Sequence, residues 1–347
     1  MASSIGLPYA KNVEYGGVPR QTPTQLTFSR GWLRHVADQT VRIAQVGRYM
    51  NNQGQVVSVE EDLKKAMENS VHYHSSHIFS PPKQELYDTQ YFVRYGSSID
   101  VAMMLQETHP DAHVGVLNSA SARSPGGKFN RGTISQEDCI CRASLLYPCL
   151  LQFESKPHYF YYVNRKPKYQ GSPSSCAIFT PLVPVIRDDT VQGTLLDKYY
   201  KFSFVSIPAP NAFVLGPTEN VPKAQAPGTD SSMQDYETMP LNEAMRDRCF
   251  RALCIMAEHG CTDLVLCAFG CGVHGNNPVE VAATFRSILS NELKGRFRVV
   301  VFAIQRSRHG NYKAFIEAFP EANKTATFRS TLANELKGRF RVAIQRS

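Results

Sequence analysis

The sequence predicts an α/β protein, a sheet with helices packed on its faces. Three observations carry this. Short apolar runs such as His113-Val-Gly-Val-Leu117 and Leu264-Val-Leu-Cys267 read as buried strands. Amphipathic stretches with clear start and stop residues alternate with them. Two of the strands run directly into glycine-rich loops that open the next helix, the order expected of a sheet covered by helices.

The elements follow in chain order. Residues 1–27 are rich in Gly, Pro and polar side chains and are expected to be a mobile N-terminus. Ser29 precedes a stripe of Trp32, Val36, Val41, Ile43 and Val46, and Gly47 fits a helix stop. Further helices are expected over Glu60–Met67 and Ile99–Glu107, so residues 28–97 read as a helical N-terminal extension and 98–320 as the core. In the core, a strand at 113–117 leads to a helix over about Ser135–Tyr147, and Cys176–Ile186 and Phe202–Ile207 read as strands. Residues 217–240 are poor in large apolar side chains and read as an irregular insertion. A helix from Leu241 carries Met245, Cys249, Ala252, Leu253 and Met256 on one stripe and closes at Gly260. Asn277 then caps a helix with Pro278 at its first position and Glu280 three residues after the cap. Phe297–Ile304 is the last clear strand.

Ala283–Arg298 recurs almost unchanged as Ala326–Arg341, and both copies end in Ile-Gln-Arg-Ser. Two copies do not make a solenoid, which needs at least three. The second copy lacks three strand residues and cannot occupy the place the first fills. Residues 321–347 are therefore expected to be an appended tail.

That tail bears on the charge. The chain carries a formal +8. Residues 284–347 hold 13 Lys/Arg against 4 Asp/Glu, a net of +9, which leaves −1 for the first 283 residues. A basic end on a neutral body gives no reason to expect direct nucleic-acid binding by the core. With 42% hydrophobic and 20% charged residues the composition supports a sizeable globular core. No run reaches the roughly 18 apolar residues of a membrane helix, and no signal pattern opens the chain. A soluble protein, intracellular and either cytoplasmic or nuclear, is the expectation. The nine cysteines fit buried reduced thiols better than disulfides.

Two constellations carry chemistry. The first runs Asn118-Ser-Ala-Ser-Ala-Arg-Ser-Pro-Gly126-Gly127-Lys128-Phe129-Asn-Arg-Gly-Thr-Ile-Ser135-Gln136-Glu137-Asp138. Its glycines let backbone N–H groups approach a ligand. Taken alone, Ser135 is an ordinary N-cap, and acidic residues after it complement the helix dipole. The second runs Ala268-Phe-Gly270-Cys271-Gly272-Val273-His274-Gly275-Asn-Asn-Pro278. It is either an anion site suited to a diphosphate or a ligand-free strand-to-helix turn. Its glycine spacing and late position exclude a dinucleotide fingerprint. His72, His74 and His77 lack further ligands at zinc spacing and read as exposed or edge-strand residues. Cys139 and Cys141 read as packed thiols.

Together the two loops resemble the microbial type of poly(ADP-ribose) glycohydrolase, a divergent macrodomain. That family's signature is three glycines, six to eight residues, then Gln-Glu-Glu. Here Gly126 and Gly127 match, and Lys128 stands at the third glycine. Seven residues follow, then Gln136, Glu137 and Asp138, with aspartate at the last glutamate. Val116-Leu-Asn118, Phe179-Thr-Pro-Leu-Val-Pro-Val-Ile-Arg-Asp-Asp189, Pro208-Ala-Pro-Asn211, Gly270-Cys-Gly-Val273 and the region of Ile43–Tyr49 are also family-like, so the resemblance spans about 28–320.

The resemblance implies a macrodomain-like three-layer α/β/α fold with a mixed central sheet. It implies hydrolysis of the ribose–ribose O-glycosidic bond of poly(ADP-ribose), or of a related ADP-ribosyl adduct, with no metal and no cofactor. The partners implied are poly(ADP-ribose) or an ADP-ribosylated protein, with ADP-ribose as product. Carried over by residue, Asp138 is the acid/base and Glu137 holds the ribose hydroxyls. Asn118, Gly126 and Gly127 shape the distal ribose pocket, Phe129 and Gln136 are further substrate-binding residues, and Gly270, Cys271, Gly272, Val273 and His274 hold the diphosphate. The family usually places an aromatic residue at His274. Asp138 is one methylene short of the family's glutamate, and a misplacement of about 1 Å costs on the order of a hundredfold in rate. A catalytically weak ADP-ribose reader is therefore one alternative, and a hydrolase of another ADP-ribose derivative is a second.

Overall fold

The computed structural model describes residues 29–81, 84–155, 159–166, 169, 173–190, 192–215, 239–305 and 310–323. The N-terminal stretch 1–27, nearly all of the 217–240 insertion and the repeat copy at 326–341 lie outside the described residues.

The chain opens with α1 (Arg30–Val46), capped by the Ser29 hydroxyl on the Trp32 amide and closed by Gly47 at φ 72°. A hairpin of β1 (Arg48–Met50) and β2 (Val56–Ser58) follows, then α2 (Glu60–Glu68), β3 (Val71–Tyr73), β4 (Gln90–Tyr95) and α3 (Ser98–Thr108). The core continues as β5 (Val114–Ser119), α4 (Gln136–Ala143), α5 (Leu146–Leu151), α6 (Phe160–Asn164), β6 (Ala177–Arg187), β7 (Leu195–Ile207) and α7 (Ala212–Leu215). It ends with α8 (Leu241–Glu258), β8 (Asp263–Leu266), α9 (Pro278–Ser290), β9 (Val299–Ile304) and α10 (Asn311–Ala318).

Seven strands form one sheet in the order β3-β6-β7-β5-β8-β9-β4. β4, β9, β8, β5 and β7 are parallel, β6 runs antiparallel to β7, and the edge strand β3 is antiparallel to β6 and so runs in the direction of the five. The mixed sheet is covered on both faces. Along β9, Val299, Val301 and Ala303 enter a core with α1 to α6, whereas Val300, Phe302 and Ile304 enter a core with α8, α9 and α10. Alternate strand residues point to opposite faces, and both sets are apolar, so the strand reads as a continuous hydrophobic run.

Three features differ from the sequence reading. Residues 28–97 are not purely helical, because β3 and β4 are the two edges of the sheet. β3 has only three residues, too few to show a period. The buried pair in β4, Phe92 and Val93, splits between the two cores. The helix expected to run to Tyr147 breaks at Ser144, which is extended and bridges to Val185. The described core also continues past 320, through a 3-10 turn at Pro320–Asn323 with Ala322 buried.

Candidate functional site

β5 and β8 are hydrogen-bonded parallel neighbours, so the loops leaving their C-terminal ends lie side by side. Both glycine constellations sit on these two loops. This is the edge at which open α/β sheets bind ligands.

After β5, Gly126 and Gly127 take φ values of 67° and 63°, a region that side-chain-bearing residues avoid. Gly127 is needed for space as well. A Cβ there would lie 2.9 Å from Glu137 Oε2 and 3.0 Å from Asp138 Oδ1. Lys128, at the place of a third glycine, has an ordinary φ of −126°. Its N–H donates to Asp138 Oδ1 at 2.8 Å. The backbone therefore does not require glycine at 128.

The start of α4 is built as a latch. Asp138 and Ser135 form a reciprocal capping box. Asp138 Oδ2 accepts from the Ser135 N–H at 2.8 Å and from its hydroxyl at 2.7 Å. Gln136 is fully engaged. Its amide donates to Ser98 Oγ and the Leu117 carbonyl, and its oxygen accepts the Ser119 N–H at 2.7 Å. Gln136 thus ties α4 to β5 and α3. Phe129 is 1% exposed and packs on Tyr147, supporting the loop from beneath.

Glu137 is 2% exposed. Its Oε2 accepts the Ser121 N–H at 2.7 Å, Oε1 has a longer 3.4 Å approach from Asn118 Nδ2, and the carboxyl takes a further backbone hydrogen bond from Gly126. Burial pushes this carboxyl up to about 8, against the pull of the Ser121 and Asn118 hydrogen bonds. Asn118 also donates to Ser206 Oγ at 3.0 Å. Two buried polar atoms beside this carboxyl have no partner among the described residues, Asn118 Oδ1 and Tyr161 Oη. Buried orphans of this kind are rare in folded proteins and mark where a ligand or water completes the network.

The second loop holds its shape by other means. Gly270 has φ 70°, and a Cβ there would meet Asn276 Nδ2 at 2.5 Å and Ala209 Cβ at 2.8 Å. Asn276 is buried and donates to the Pro210 carbonyl at 2.8 Å and the Gly270 carbonyl at 3.0 Å. Cys271 is buried, with its thiol toward the Phe269 carbonyl. The tip stays open: a Cβ added at Gly272 would meet nothing within 4 Å, and Val273 is 85% exposed. The N–H groups of Gly272, Val273 and His274 have no backbone acceptor among the described residues. Consecutive uncommitted N–H groups before a capped helix are the arrangement from which anion-binding concavities are built. The His274 imidazole sits half-buried by the Ala209 backbone, and burial holds its pKa below the usual value.

The comparisons accord with this geometry. A family model for the microbial-type PARG catalytic domain matches residues 37–188. The poly(ADP-ribose) glycohydrolase of Thermomonospora curvata, solved with the inhibitor ADP-HPD, is 32% identical. That match covers 83% of this chain and 99% of the relative, with a TM-score of 0.67. The chain belongs to the microbial-type poly(ADP-ribose) glycohydrolase family. The Deinococcus radiodurans glycohydrolase, solved with ADP-ribose, is 29% identical over 74% of this chain and 96% of its own, with a TM-score of 0.58. No curated protein matched. The macrodomain-like α/β/α fold, the family and the glycoside hydrolase class expected from the sequence all hold.

Within this family site, sequence reasoning missed four groups. The Ser121 N–H anchors Glu137, Ser206 accepts from Asn118, and the buried Tyr161 hydroxyl feels the Glu137 charge but has no hydrogen-bond partner among the described residues. Phe213, on α7, is 78% exposed, and its ring atoms would lie 2.5 and 2.6 Å from a Cβ at Gly275. An aromatic ring thus flanks the second loop, though not from position 274. Only Phe213 left a sequence signal, an aromatic two residues after Pro208-Ala-Pro-Asn211.

Proposed function

We propose that this glycohydrolase seats the diphosphate of an ADP-ribose unit on Gly272, Val273 and His274, and the adjoining ribose against Gly126, Gly127 and the start of α4. The observation that carries this reading is the pairing of three uncommitted N–H groups with a buried carboxyl pair on neighbouring strand ends. The diphosphate is anionic, and the loop offers donors and a helix N-terminus to it. The relatives were solved with ADP-ribose or with the inhibitor ADP-HPD, which supports ADP-ribose as the ligand here.

The reaction fits the arrangement. A carboxyl at the α4 start protonates the leaving glycosidic oxygen, and the resulting carboxylate then takes a proton from the attacking water. Phe213 supplies the ring that the family usually carries on the loop itself. The polymer, or an ADP-ribosylated protein, is the substrate and ADP-ribose the product. All nine cysteines are free and eight are buried, which suits an intracellular location.

One observation favours the reader alternative: Asp138 is already held by three donors. Incubation with purified poly(ADP-ribose), with release of ADP-ribose followed beside a calorimetric titration, separates the two. Release with saturable binding supports the glycohydrolase. Binding without release supports the reader, and neither at millimolar ligand removes the site assignment.

A further inference from the structure

We infer that Lys128 and Arg131 form a second anion subsite, which takes the diphosphate of the polymer unit on the leaving side of the scissile bond. The inference rests on the glycohydrolase reading above and concerns a part of the loop that reading does not use.

The charge is visible in the sequence. Between Asn118 and Glu137 the loop carries Arg123, Lys128 and Arg131 and no acidic residue. All three side chains are exposed. None of them has an ion-pair or hydrogen-bond partner among the described residues. Single surface cations are ordinary. Lys128 and Arg131 stand apart because the backbone sets them together. The Arg131 N–H donates to the Lys128 carbonyl at 2.8 Å, the bond of the 3-10 turn Phe129–Arg131. Side chains three apart in such a turn emerge on the same side. Two like charges are thus held as neighbours and repel unless an anion joins them.

The turn is anchored on several sides. The Thr133 hydroxyl donates to the Lys128 carbonyl at 2.8 Å, and the buried Arg142 donates to the Thr133 carbonyl. Gly132, at φ 73°, lies against α1, where a Cβ would collide with the Arg30 carbonyl. Phe129, between the two cations, is buried. The backbone beneath the cations is therefore fixed before a ligand arrives, which lowers the ordering cost of binding.

Position decides which anion is received. The Lys128 N–H donates to Asp138 Oδ1 at 2.8 Å, so the turn borders the carboxyl pair. Phe129 enters the core with α1 to α6, whereas Phe269 and Cys271 of the β8 loop enter the core with α8 to α10. The two loops lean toward opposite faces of the sheet. In poly(ADP-ribose) every ribose–ribose bond has a diphosphate on each side. With one diphosphate on the β8 loop and the bond at the start of α4, the other falls beyond the carboxyls, toward Lys128. Arg131 offers a planar fork to phosphate oxygens, and Lys128 a point charge on a flexible stem. A third glycine at 128 would supply no such charge, so this half of the subsite belongs to this chain.

The test compares kcat/KM on poly(ADP-ribose) with kcat/KM on the para-nitrophenyl glycoside of ADP-ribose, whose leaving group carries no phosphate. Both substrates need the β8 loop and the carboxyl pair, and only the polymer reaches the subsite. Lys128→Gln and Arg131→Gln should each lower the polymer-to-glycoside ratio about fivefold, and the double variant more than about tenfold. Lys128→Arg should keep the ratio. Added salt should lower the wild-type ratio and leave that of the double variant nearly flat. Arg123 is an exposed cation on the same loop, with its carbonyl held by Arg165 at the end of α6, so Arg123→Gln should not move the ratio. An unchanged ratio in the double variant, equal losses on both substrates, or the same fall in Arg123→Gln overturns the subsite. A wild type that cleaves neither substrate contradicts the glycohydrolase reading, and calorimetry then reads the subsite by itself. A dimer of ADP-ribose should bind more tightly than ADP-ribose, and the double variant should lose the difference. Equal wild-type affinity for the two overturns the subsite as well.

Discussion

The two glycine loops leave neighbouring parallel strands and each opens a helix, yet they are held differently. The loop after β5 is clamped from below by charged and polar groups: Lys128 N–H on Asp138, Ser121 N–H on Glu137, and Gln136 across β5 and α3. The loop after β8 is pinned at one end by Asn276 and leaves its tip, Gly272 and Val273, exposed. A loop that presents a reacting carboxyl must be fixed before substrate arrives, because reaction geometry tolerates little error. A loop that receives a diphosphate can keep its N–H groups open to the ligand. The same residue type thus serves rigidity in one place and access in the other.

Substitutions that add a single methyl group can break this comparison. The largest effect is expected for Gly127→Ala. The new Cβ meets two carboxyl oxygens at 2.9 and 3.0 Å on a left-handed backbone. Turnover should fall more than about a hundredfold, with a stability loss of about 1–3 kcal/mol in denaturant melts. Normal turnover would mean that the clamp is not needed. Gly270→Ala comes next. The clash with Asn276 and Ala209 should weaken ADP-ribose binding about tenfold or more by calorimetry and lower Tm. Gly272→Ala meets nothing within 4 Å and should leave Tm nearly unchanged. Equal damage at 270 and 272 would erase the distinction between the pinned end and the open tip.

A smaller effect follows from the buried carboxyl. The folded-state pKa of Glu137, about 8, lies above its unfolded value. Its favourable contribution is present in full below the unfolded pKa and is lost as pH rises through about 8. The Glu137→Gln variant does not ionise. Its Tm advantage over wild type should therefore grow between about pH 5 and pH 8. A gap independent of pH would show that Glu137 is not buried as a neutral acid.

The smallest effect is expected at the C-terminal end. Truncation after Asn323 should leave ADP-ribose affinity nearly unchanged, since Ala322 is the last buried residue of the described chain. An insoluble truncated protein would mean that the repeat copy is structural.

Much of this was legible in the sequence because the signals are local. Ser29 and Gly47 bracket α1, and Asn277 with Pro278 opens α9, as their capping chemistry requires. The two glycine loops were legible for the same reason. What was hidden depends on contacts far apart in the chain. β3 is a strand because β6 pairs with it, with His72 opposite Ile178. Asn118 meets Ser206 across 88 positions, and the Tyr161 hydroxyl is isolated only by the packing around it. The resemblance marked Phe129 and Gln136 as substrate-binding residues. It could not register that one lies in the core and the other makes three internal hydrogen bonds.

The most direct test of the central claim is a crystal structure of the protein with ADP-ribose. The diphosphate should lie on the N–H groups of Gly272, Val273 and His274, with the ribose farther from the adenine against Gly127 and within hydrogen-bond reach of Glu137. A diphosphate bound away from the β8 loop, or that ribose out of reach of both Glu137 and Asp138, would contradict the account.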